Sequence, residues 1–403
     1  MRGIAQLLFW TSVLLLGYIY LGYPTLVCLW ARFRPRPVSR GRLAPTVTLL
    51  VVVHNEAARI DARLTNLTSL DYPRHRLQIL VASDGSTDAT AERARAWEPG
   101  GVEVVAFEDH RGKPVALNDL MRRARGEIAV LADARQRFAT DALRALVAPF
   151  ADGRVGAVSG ELVLTEDPDG DAVGDGVGLY WRYEKLIRRN ESRVDSSIGA
   201  TGAIYAIRRS LFEPIPEDTI LDDVWLPMRI ALRGYRVLFE PGARAWDRAP
   251  ATAAEEFARK VRTLAGNFQL FARERWLLNP RRNRLWLETV SHKLLRLMTP
   301  FLLLTAFGAN LLLVAGSSVH GWTLAAQVVF YMAALGGSRL RGRRKIRVFT
   351  VPYVICFLSL ATLVALVRFI AGRQSVTWDK PFASGGEQLR TPGHTEALRA
   401  PLR

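Results

Sequence analysis

The chain has 403 residues, enough for one large or two medium domains with a substantial core. Its residues are 49% hydrophobic and 23% charged, which indicates that apolar and charged residues are concentrated in different stretches. The net charge of +17 is typical of nucleic-acid-binding proteins, but arginine-rich stretches flank uncharged apolar segments here, so we predict no nucleic-acid partner. The two cysteines lie in apolar segments, which excludes a disulfide framework and a thiolate metal site.

Four stretches without a charged side chain are candidates for membrane-spanning helices, which need about 20 apolar residues. They are residues 4–30, 297–315, 322–337 and 348–367, of which the third is the shortest. The first has no small-x-small cleavage site before "LWARFRPRP", so we predict a membrane anchor rather than a cleaved signal peptide.

The loops beside these segments differ in charge and predict a topology. "ARFRPRPVSRGR" (31–42) and "SRLRGRRKIR" (338–347) are basic, whereas "AGSSVHG" (315–321) has no Lys or Arg. Basic loops stay in the cytoplasm and contact anionic membrane lipids, so residues 31–292 are expected there. The span count places the tail after Arg373 outside, whereas the tail's mildly basic charge favours the inside. The Arg-rich, Cys-poor composition favours a bacterial inner membrane.

Between the first two spans, short continuous apolar runs alternate with helical stretches. The predicted strands are 46–53, 77–82, 102–107, 127–132 and 155–159, and the predicted helices are 56–70, 88–97, 113–125 and 139–150. Continuous apolar runs suit strands buried on both faces, so this alternation predicts a doubly wound, mostly parallel α/β sheet. Ligands of such sheets bind at the carboxyl ends of the strands.

Acids and amides follow three of these strands. "HNEAAR" (54–59), "SDGSTD" (83–88) and "DARQ" (133–136) come after the first, second and fourth. The chain lacks both G-x-G-x-x-G after the first strand and a P-loop motif, which argues against a dinucleotide oxidoreductase. An alternative for "SDGSTD" is a tight turn in which Ser86 or Thr87 caps the next helix.

Five segments, in order, resemble the membrane-embedded branch of family 2 glycosyltransferases, which includes polysaccharide synthases and ceramide glucosyltransferases. They are "VVVHNEAARI", "VASDGSTD", "RGKPVALNDLMRRARGEIAVLAD", "IGATGAIYAIRR" and "ILDDVWLPMRIALRGYRVLFEP". The resemblance implies a GT-A-like sheet inserted between transmembrane helices. The implied segments are a transmembrane helix (1–30), a basic cytoplasmic linker (31–44), the GT-A domain (45–250), amphipathic interfacial helices (251–291), about three transmembrane helices (292–372) and a flexible tail (373–403).

The resemblance also implies roles for donor-side residues. Glu56 and Asp84 would hold the uridine of a nucleotide sugar, with Lys113 beside the nucleotide. Asp133 matches the first acid of Asp-x-Asp and would support the ribose and a metal ion.

On the acceptor side, Asp223 matches the catalytic base, which takes a proton from the acceptor hydroxyl. Asp222 is the neighbouring acid that raises the pKa of this base. Gly202 lies in the glycine-rich acceptor segment, and one base is enough for a single inverting displacement.

Arg135 stands where the resemblance predicts the second Asp of Asp-x-Asp. One interpretation is that Asp133 still binds Mg²⁺ or Mn²⁺ together with the diphosphate, since Mg²⁺ often takes only one or two protein carboxylates. Another is that Arg135 itself binds phosphate oxygens. A third is an exposed loop arginine. We expect the metal with Asp133.

The segment "FARKVRTLAGNFQ" (257–269) is similar to the element that braces the diphosphate in processive synthases. Arg259 and Arg262 would stabilise the leaving diphosphate, but Thr263 replaces the Trp of that element, which weakens the case for chain elongation. The alternative is a basic amphipathic helix on the membrane surface, and both interpretations are compatible.

Aromatic residues near position 180 form a stripe at helical spacing. Tyr180 and Tyr183 are expected to pack in the core, whereas Trp181 and Trp225 are candidates for an acceptor platform.

The resemblance implies an inverting transferase that moves a sugar from a nucleotide-sugar donor, with a UDP-linked donor expected, onto a growing polysaccharide or a membrane lipid. Four spans are few for a channel that moves a polysaccharide across the membrane. A polymerising enzyme would therefore act as a homo-oligomer or with an accessory export protein. The alternatives are a single-transfer lipid glycosyltransferase and a catalytically silent subunit that binds nucleotide sugar. A transporter is disfavoured because the candidate acids lie outside the spans.

Overall fold

The structure is a computed structural model and describes residues 1–41, 44–165, 173–250, 252–339, 347–375 and 377. Most of the predicted tail and part of the second basic loop lie outside the described residues.

An eight-stranded sheet forms the centre of the molecule. The strands are β1 (Val47–Val53), β2 (Leu77–Asp84), β3 (Val102–Phe107), β4 (Ile128–Ala132), β5 (Arg137–Phe138), β6 (Val155–Thr165), β7 (Tyr205–Arg208) and β8 (Arg236–Arg248). Their spatial order is β3-β2-β1-β4-β7-β6-β8-β5. The pairs β1–β2, β1–β4, β2–β3 and β6–β8 are parallel, and β7 is antiparallel to both of its neighbours. The expected mostly parallel α/β sheet is confirmed.

Helices cover both faces of the sheet and extend away from it. They are α1 (Arg2–Gly17), α2 (Tyr23–Phe33), α3 (Ile60–Thr68), α4 (Thr90–Arg95), α5 (Lys113–Arg123), α6 (Ala142–Val147), α7 (Val173–Val194), α8 (Asp222–Leu232), α9 (Ala253–Arg273), α10 (Trp286–Glu288), α11 (Leu295–Leu313), α12 (Ser318–Arg339) and α13 (Arg347–Ile370). π-helical turns at Tyr18–Gly22 and Thr289–Leu294 join α1 to α2 and α10 to α11.

Strand β1 shows why the central strands are apolar throughout. All seven of its residues are buried. Leu49 and Val51 belong to one hydrophobic layer, whereas Leu50 and Val52 belong to the layer on the other face. Burying one such side chain contributes about 1.5–3 kcal/mol to folding, so the sheet is held from both sides.

Four helical segments are long and apolar enough to cross a membrane: Arg2–Phe33, Trp286–Gly316, Ser318–Arg339 and Val348–Ile370. The third extends beyond the short predicted stretch. The second begins at Trp286, inside the stretch predicted as interfacial, because its first turns continue directly into the apolar run.

Helix α9 packs along the fourth span. Val261 and Ala265 of α9 are buried against Ala361 and Ala365 of α13. Its amphipathic pattern therefore serves contact with an apolar helix, and α9 lies between the sheet and the candidate membrane spans.

Candidate active site

A cavity of about 2700 Å³ lies between the carboxyl ends of the central strands, α9 and the membrane helices. The predicted site residues that line it are Glu56, Lys113, Asp133, Arg135, Gly202, Asp222, Asp223, Arg259 and Arg262. The structure therefore brings nine of the eleven predicted residues to one space. Asp84 and Trp225 do not line it.

Lys113 connects two of the acids. It begins α5 directly after Gly112, whose positive φ of 94° turns the chain into the helix. Its ammonium lies 2.9 Å from Asp133 Oδ1 and 3.3 Å from Asp222 Oδ2. Burial opposes the charge on Lys113, but Asp133 and Asp222 outweigh it and hold the pKa of Lys113 above its ordinary value.

Gly202 lies between the carboxylates of Asp133 and Asp223. Asp133 donates its backbone N–H to the Gly202 carbonyl at 3.1 Å, and the Gly202 N–H donates to Asp223 Oδ2 at 2.9 Å. A Cβ atom on Gly202 would lie 3.3 Å from Asp133 Oδ2 and 3.5 Å from Asp223 Oδ2. The two carboxylates are therefore close enough to contact one small molecule.

Asp223 is in the first turn of α8, where a helix N-terminus favours negative charge. Burial raises the pKa of its carboxyl to about 6; the charge of Asp222 adds to this, and Lys113 opposes it. Tyr205 donates to Asp222 Oδ2 at 3.2 Å. A carboxylate with this pKa can accept a proton at neutral pH, as a general base must.

Asp84 has a different environment from the other acids. It is fully buried, and its carboxylate accepts the backbone N–H groups of Arg111 at 3.0 Å and Gly112 at 2.8 Å. Nδ1 of His110 lies 2.9 Å from Oδ2 of the same carboxylate. In this structure Asp84 therefore fastens the loop before Lys113 and does not reach the cavity, so its predicted contact with uridine lacks geometric support.

Glu56 and Arg135 lie at the mouth formed by the strand ends. Glu56 is buried and pairs with Arg59 at 3.1 Å. Arg135 is exposed and, within the described part of the chain, has no hydrogen bond or ion pair, so its guanidinium is free to contact a phosphate.

Helix α9 contributes two arginine side chains to the wall of the cavity. Arg259 lies 3.9 Å from Asp247 Oδ2, and Arg262 donates to the Thr377 carbonyl at 3.2 Å. Burial lowers the pKa of Arg262, against the opposing charges of Asp222 and Asp133. Arg262 therefore lies within electrostatic reach of the acids across the cavity.

The aromatic predictions need correction. Tyr180, expected in the core, lines the cavity together with Trp181, whereas Tyr183 lines the cavity and also packs against a hydrophobic cluster, as expected. Lys260 lies over the rings of Tyr180 and Trp181, at 4.6 and 5.6 Å from their centroids. Trp225 is instead buried in the core under α9, where its indole donates to Glu274 at 2.7 Å, so it offers no face to an acceptor.

The residues present can hold a divalent cation only if a bound substrate supplies some of the oxygen atoms that coordinate it. Asp133 is 37% exposed; its Oδ1 faces Lys113, and its Oδ2 has no hydrogen bond within the described part of the chain. Among the described residues, no group of three or more His, Cys, Asp and Glu is arranged to hold a metal. A single carboxylate is sufficient for Mg²⁺ or Mn²⁺ when substrate phosphates supply the other oxygens.

The end of the cavity nearest the apolar helices has lining residues that were not predicted from the sequence. Arg188 of α7 and His292, Lys293 and Arg296 of the second span also line it. The available signal was the group of basic residues directly before the apolar run that starts at Leu297.

Comparisons with known proteins agree with this architecture. The sequence profile described as Glycosyl transferase family 2 matches residues 48–215. The beta-monoglucosyldiacylglycerol synthase of Nostoc sp. (strain PCC 7120 / SAG 25.82 / UTEX 2576) is 25% identical over 398 residues, covering 92% of this chain and 81% of the relative. The poly-beta-1,6-N-acetyl-D-glucosamine synthase of Staphylococcus aureus (strain COL) is 26% identical over 234 residues, covering 57% and 56%.

A solved structure is similar over nearly the whole chain. The mannosyltransferase PcManGT from Pyrobaculum calidifontis, in complex with GDP-Man and Mn²⁺, superposes with a TM-score of 0.70 at 25% identity, covering 91% of this chain and 99% of that one. The profile match, the relatives and this superposition agree with the sheet and the cavity described above. Residues 48–215 therefore belong to glycosyl transferase family 2, and the α/β part of the chain has a GT-A-like fold.

Proposed function

We propose that the enzyme transfers a sugar, with inversion, from a nucleotide-sugar donor onto a membrane lipid at the cytoplasmic face of a bacterial inner membrane. The observation that carries this proposal is the extent of the cavity. It runs from Asp133 and Asp223 to apolar side chains of the fourth span, including Val354, Ile355 and Leu358. An acyl chain that lies against this span would present its polar end to the acids.

In this proposal Asp223 and Asp133 have different roles. Asp223 takes the proton from the acceptor hydroxyl while that oxygen attacks the anomeric carbon, and the nucleoside diphosphate leaves on the opposite side. Lys113, Arg135, Arg259 and Arg262 bind and orient the diphosphate and stabilise its charge. A Mg²⁺ or Mn²⁺ ion held by Asp133 with the diphosphate would supply further neutralising charge when bound. A UDP-linked donor is the first choice, and the GDP-Man in the similar structure makes a GDP-linked donor the second.

A growing polysaccharide is the second candidate acceptor. The similarity to the poly-N-acetylglucosamine synthase favours it, as does the aromatic wall of Tyr180 and Trp181, since sugar rings stack on aromatic faces. The similarity to the lipid synthase extends over 92% of this chain, against 57% for the polysaccharide synthase. We therefore place the lipid acceptor first.

The test is a transfer assay with the full-length protein in detergent. Radiolabelled UDP-glucose, UDP-N-acetylglucosamine and GDP-mannose are each incubated with extracted membrane lipids, in Mn²⁺, in Mg²⁺ and in chelator. We expect one labelled sugar on a lipid. A ladder of products would establish the polysaccharide synthase instead. Tight donor binding without hydrolysis or transfer under every condition would identify a nucleotide-sugar-binding scaffold and overturn the proposal.

A further inference from the structure

A group of basic residues lies at the membrane end of the cavity, apart from the site described above. It consists of Arg188 from α7 and of Lys293 and Arg296 from the second span, and all three line the cavity. The uncharged part of that span starts at Leu297. Since a helix rises about 1.5 Å per residue, Lys293 lies about 6 Å from the apolar run, at the depth where lipid headgroups meet hydrocarbon.

Two of the three cations share one carboxylate. Glu184 accepts hydrogen bonds from Arg188 Nε at 3.2 Å and from Arg296 Nη1 at 2.8 Å. His292 bridges Glu184, at 3.0 Å, to Glu191, at 2.8 Å. The carboxylates of Glu184 and Glu191 are therefore already hydrogen-bonded to side chains of this wall.

Lys293 is left without such a partner. Within the described part of the chain its ammonium has no hydrogen bond or ion pair, although it lies within electrostatic reach of Glu184 and of Asp223. Arg296 has two buried donor atoms, Nε and Nη2, without a hydrogen bond. An unpaired charge at a low-dielectric wall is costly, and an anion in the cavity would compensate the charge of Lys293.

The backbone at Lys293 has an unusual conformation. Lys293 lies in the π-helical turn Thr289–Leu294, and the first span has a π-helical turn at Tyr18–Gly22. The two spans are joined here by a hydrogen bond between Tyr18 and Ser291 at 2.7 Å. π-helical turns are rare and are found frequently at functional sites, because the extra residue changes which side chains face inward.

We propose that Arg188, Lys293 and Arg296 form a subsite for the phosphate group of a membrane lipid. This inference rests on the proposed function, since it assigns the acceptor a phosphate beside the hydroxyl that receives the sugar. A phosphate has several oxygens that can accept from the ammonium of Lys293, and lipid phosphates lie at the depth of this wall. Because Lys293 is within reach of Asp223, a bound phosphate would hold the lipid headgroup near the catalytic base.

Lipid binding by the full-length protein in detergent tests the subsite without requiring transfer. Native mass spectrometry compares dioleoylphosphatidylglycerol with dioleoylglycerol, which has the same acyl chains and no phosphate. We expect the phosphate-bearing lipid to bind at least about tenfold more tightly to the wild type, the preference to disappear in Lys293→Gln and to persist in Lys293→Arg. Lys185→Gln is the matched control, because Lys185 is on α7, pairs with Glu161 and does not line the cavity.

Equal affinity of the wild type for the two lipids would overturn the subsite. A preference that survives in Lys293→Gln would overturn the assignment to these residues. Inorganic diphosphate is the second probe: if it binds with the same dependence on Lys293 and the lipids do not, the wall serves a soluble phosphate and the lipid subsite is wrong. Failure of the proposed function is distinct, since it would show as absent transfer with the lipid preference intact.

Discussion

The ammonium group of Lys113 lies 2.9 Å from the carboxylate of Asp133, and this contact joins the start of α5 to the end of β4. Lys113 also lies 3.3 Å from Asp222, so one cation lies between acids from two segments. A diphosphate that enters the cavity therefore meets acids that are already partly neutralised. Within the described residues, Oδ2 of Asp133 and the exposed Arg135 have no hydrogen bond or ion pair, which leads to a prediction about metal ions.

Removing divalent metal should weaken donor binding. We expect EDTA to lower the affinity of the wild type for UDP-sugar or GDP-sugar by about tenfold or more, and Mn²⁺ to restore it, because Asp133 and the diphosphate together hold the ion. Titration calorimetry on the detergent-purified protein measures this. Asp133→Ala should remove the response to Mn²⁺. If chelation changes nothing and Arg135→Ala weakens binding instead, Arg135 replaces the metal.

A methyl group at Gly202 should impair catalysis more than stability. In Gly202→Ala the new Cβ would lie 3.3 Å from Asp133 Oδ2, so the Asp133 carboxylate must move by a few tenths of an ångström, whereas the 3.5 Å contact with Asp223 is an ordinary van der Waals distance. We expect kcat to fall about tenfold to a hundredfold, because small displacements of catalytic groups are costly.

Gly153→Ala is the control for this change, because a Cβ there meets no atom within 4 Å. It should leave kcat and the melting temperature nearly unchanged. Normal kcat in Gly202→Ala would show that the position of the Asp133 carboxylate is not critical.

Replacing Asp84 should mainly lower the stability of the fold, with a smaller effect on nucleotide binding. Asp84→Ala leaves the backbone N–H groups of Arg111 and Gly112 without their acceptor, which costs about 3 kcal/mol. We expect a lower melting temperature in the absence of nucleotide. Asp109→Ala, an exposed position in the same loop, should have little effect. An unchanged melting temperature together with lost UDP binding would restore the contact with uridine that the sequence resemblance implies.

The fold was predictable where strands are buried on both faces. Leu49 and Leu50 point to opposite hydrophobic layers, so β1 appears in the sequence as an unbroken apolar run. Strand β8 was not predicted, because Pro241 and Gly242 interrupt its apolar pattern and its pairing with β6 shifts register. Proline and glycine at such an irregularity have the same sequence signal as a turn.

The site was predictable where function requires a residue type at a strand end, as for Asp133. The direction in which a helical side chain faces depends on tertiary packing. Trp225, expected at the acceptor site, is therefore in the core, and Tyr180, expected in the core, lines the cavity. Lys293 was overlooked because a basic residue beside an apolar segment is the usual flank of a membrane span.

Activity should fall at low pH as the carboxylate of Asp223 becomes protonated. The pKa of Asp223 is raised to about 6, and the base must be deprotonated, so kcat/KM should be constant above pH 7 and decline as the pH falls through about 6. Asp222→Asn removes a neighbouring negative charge and should move the inflexion to lower pH. A wild-type inflexion near pH 4 would show that Asp223 is not shifted. Donor binding measured over the same range separates this effect from loss of the donor.

Transfer by Asp223→Asn is the most direct measurement of the central claim, that Asp223 is the base of an inverting transferase. The amide keeps the shape and the helix position but cannot take a proton, so we expect kcat to fall by about 10²–10⁴-fold while donor affinity changes less than about threefold. Single-turnover transfer and donor titration on the same preparation give both numbers. Transfer at the wild-type rate in this variant would contradict the account.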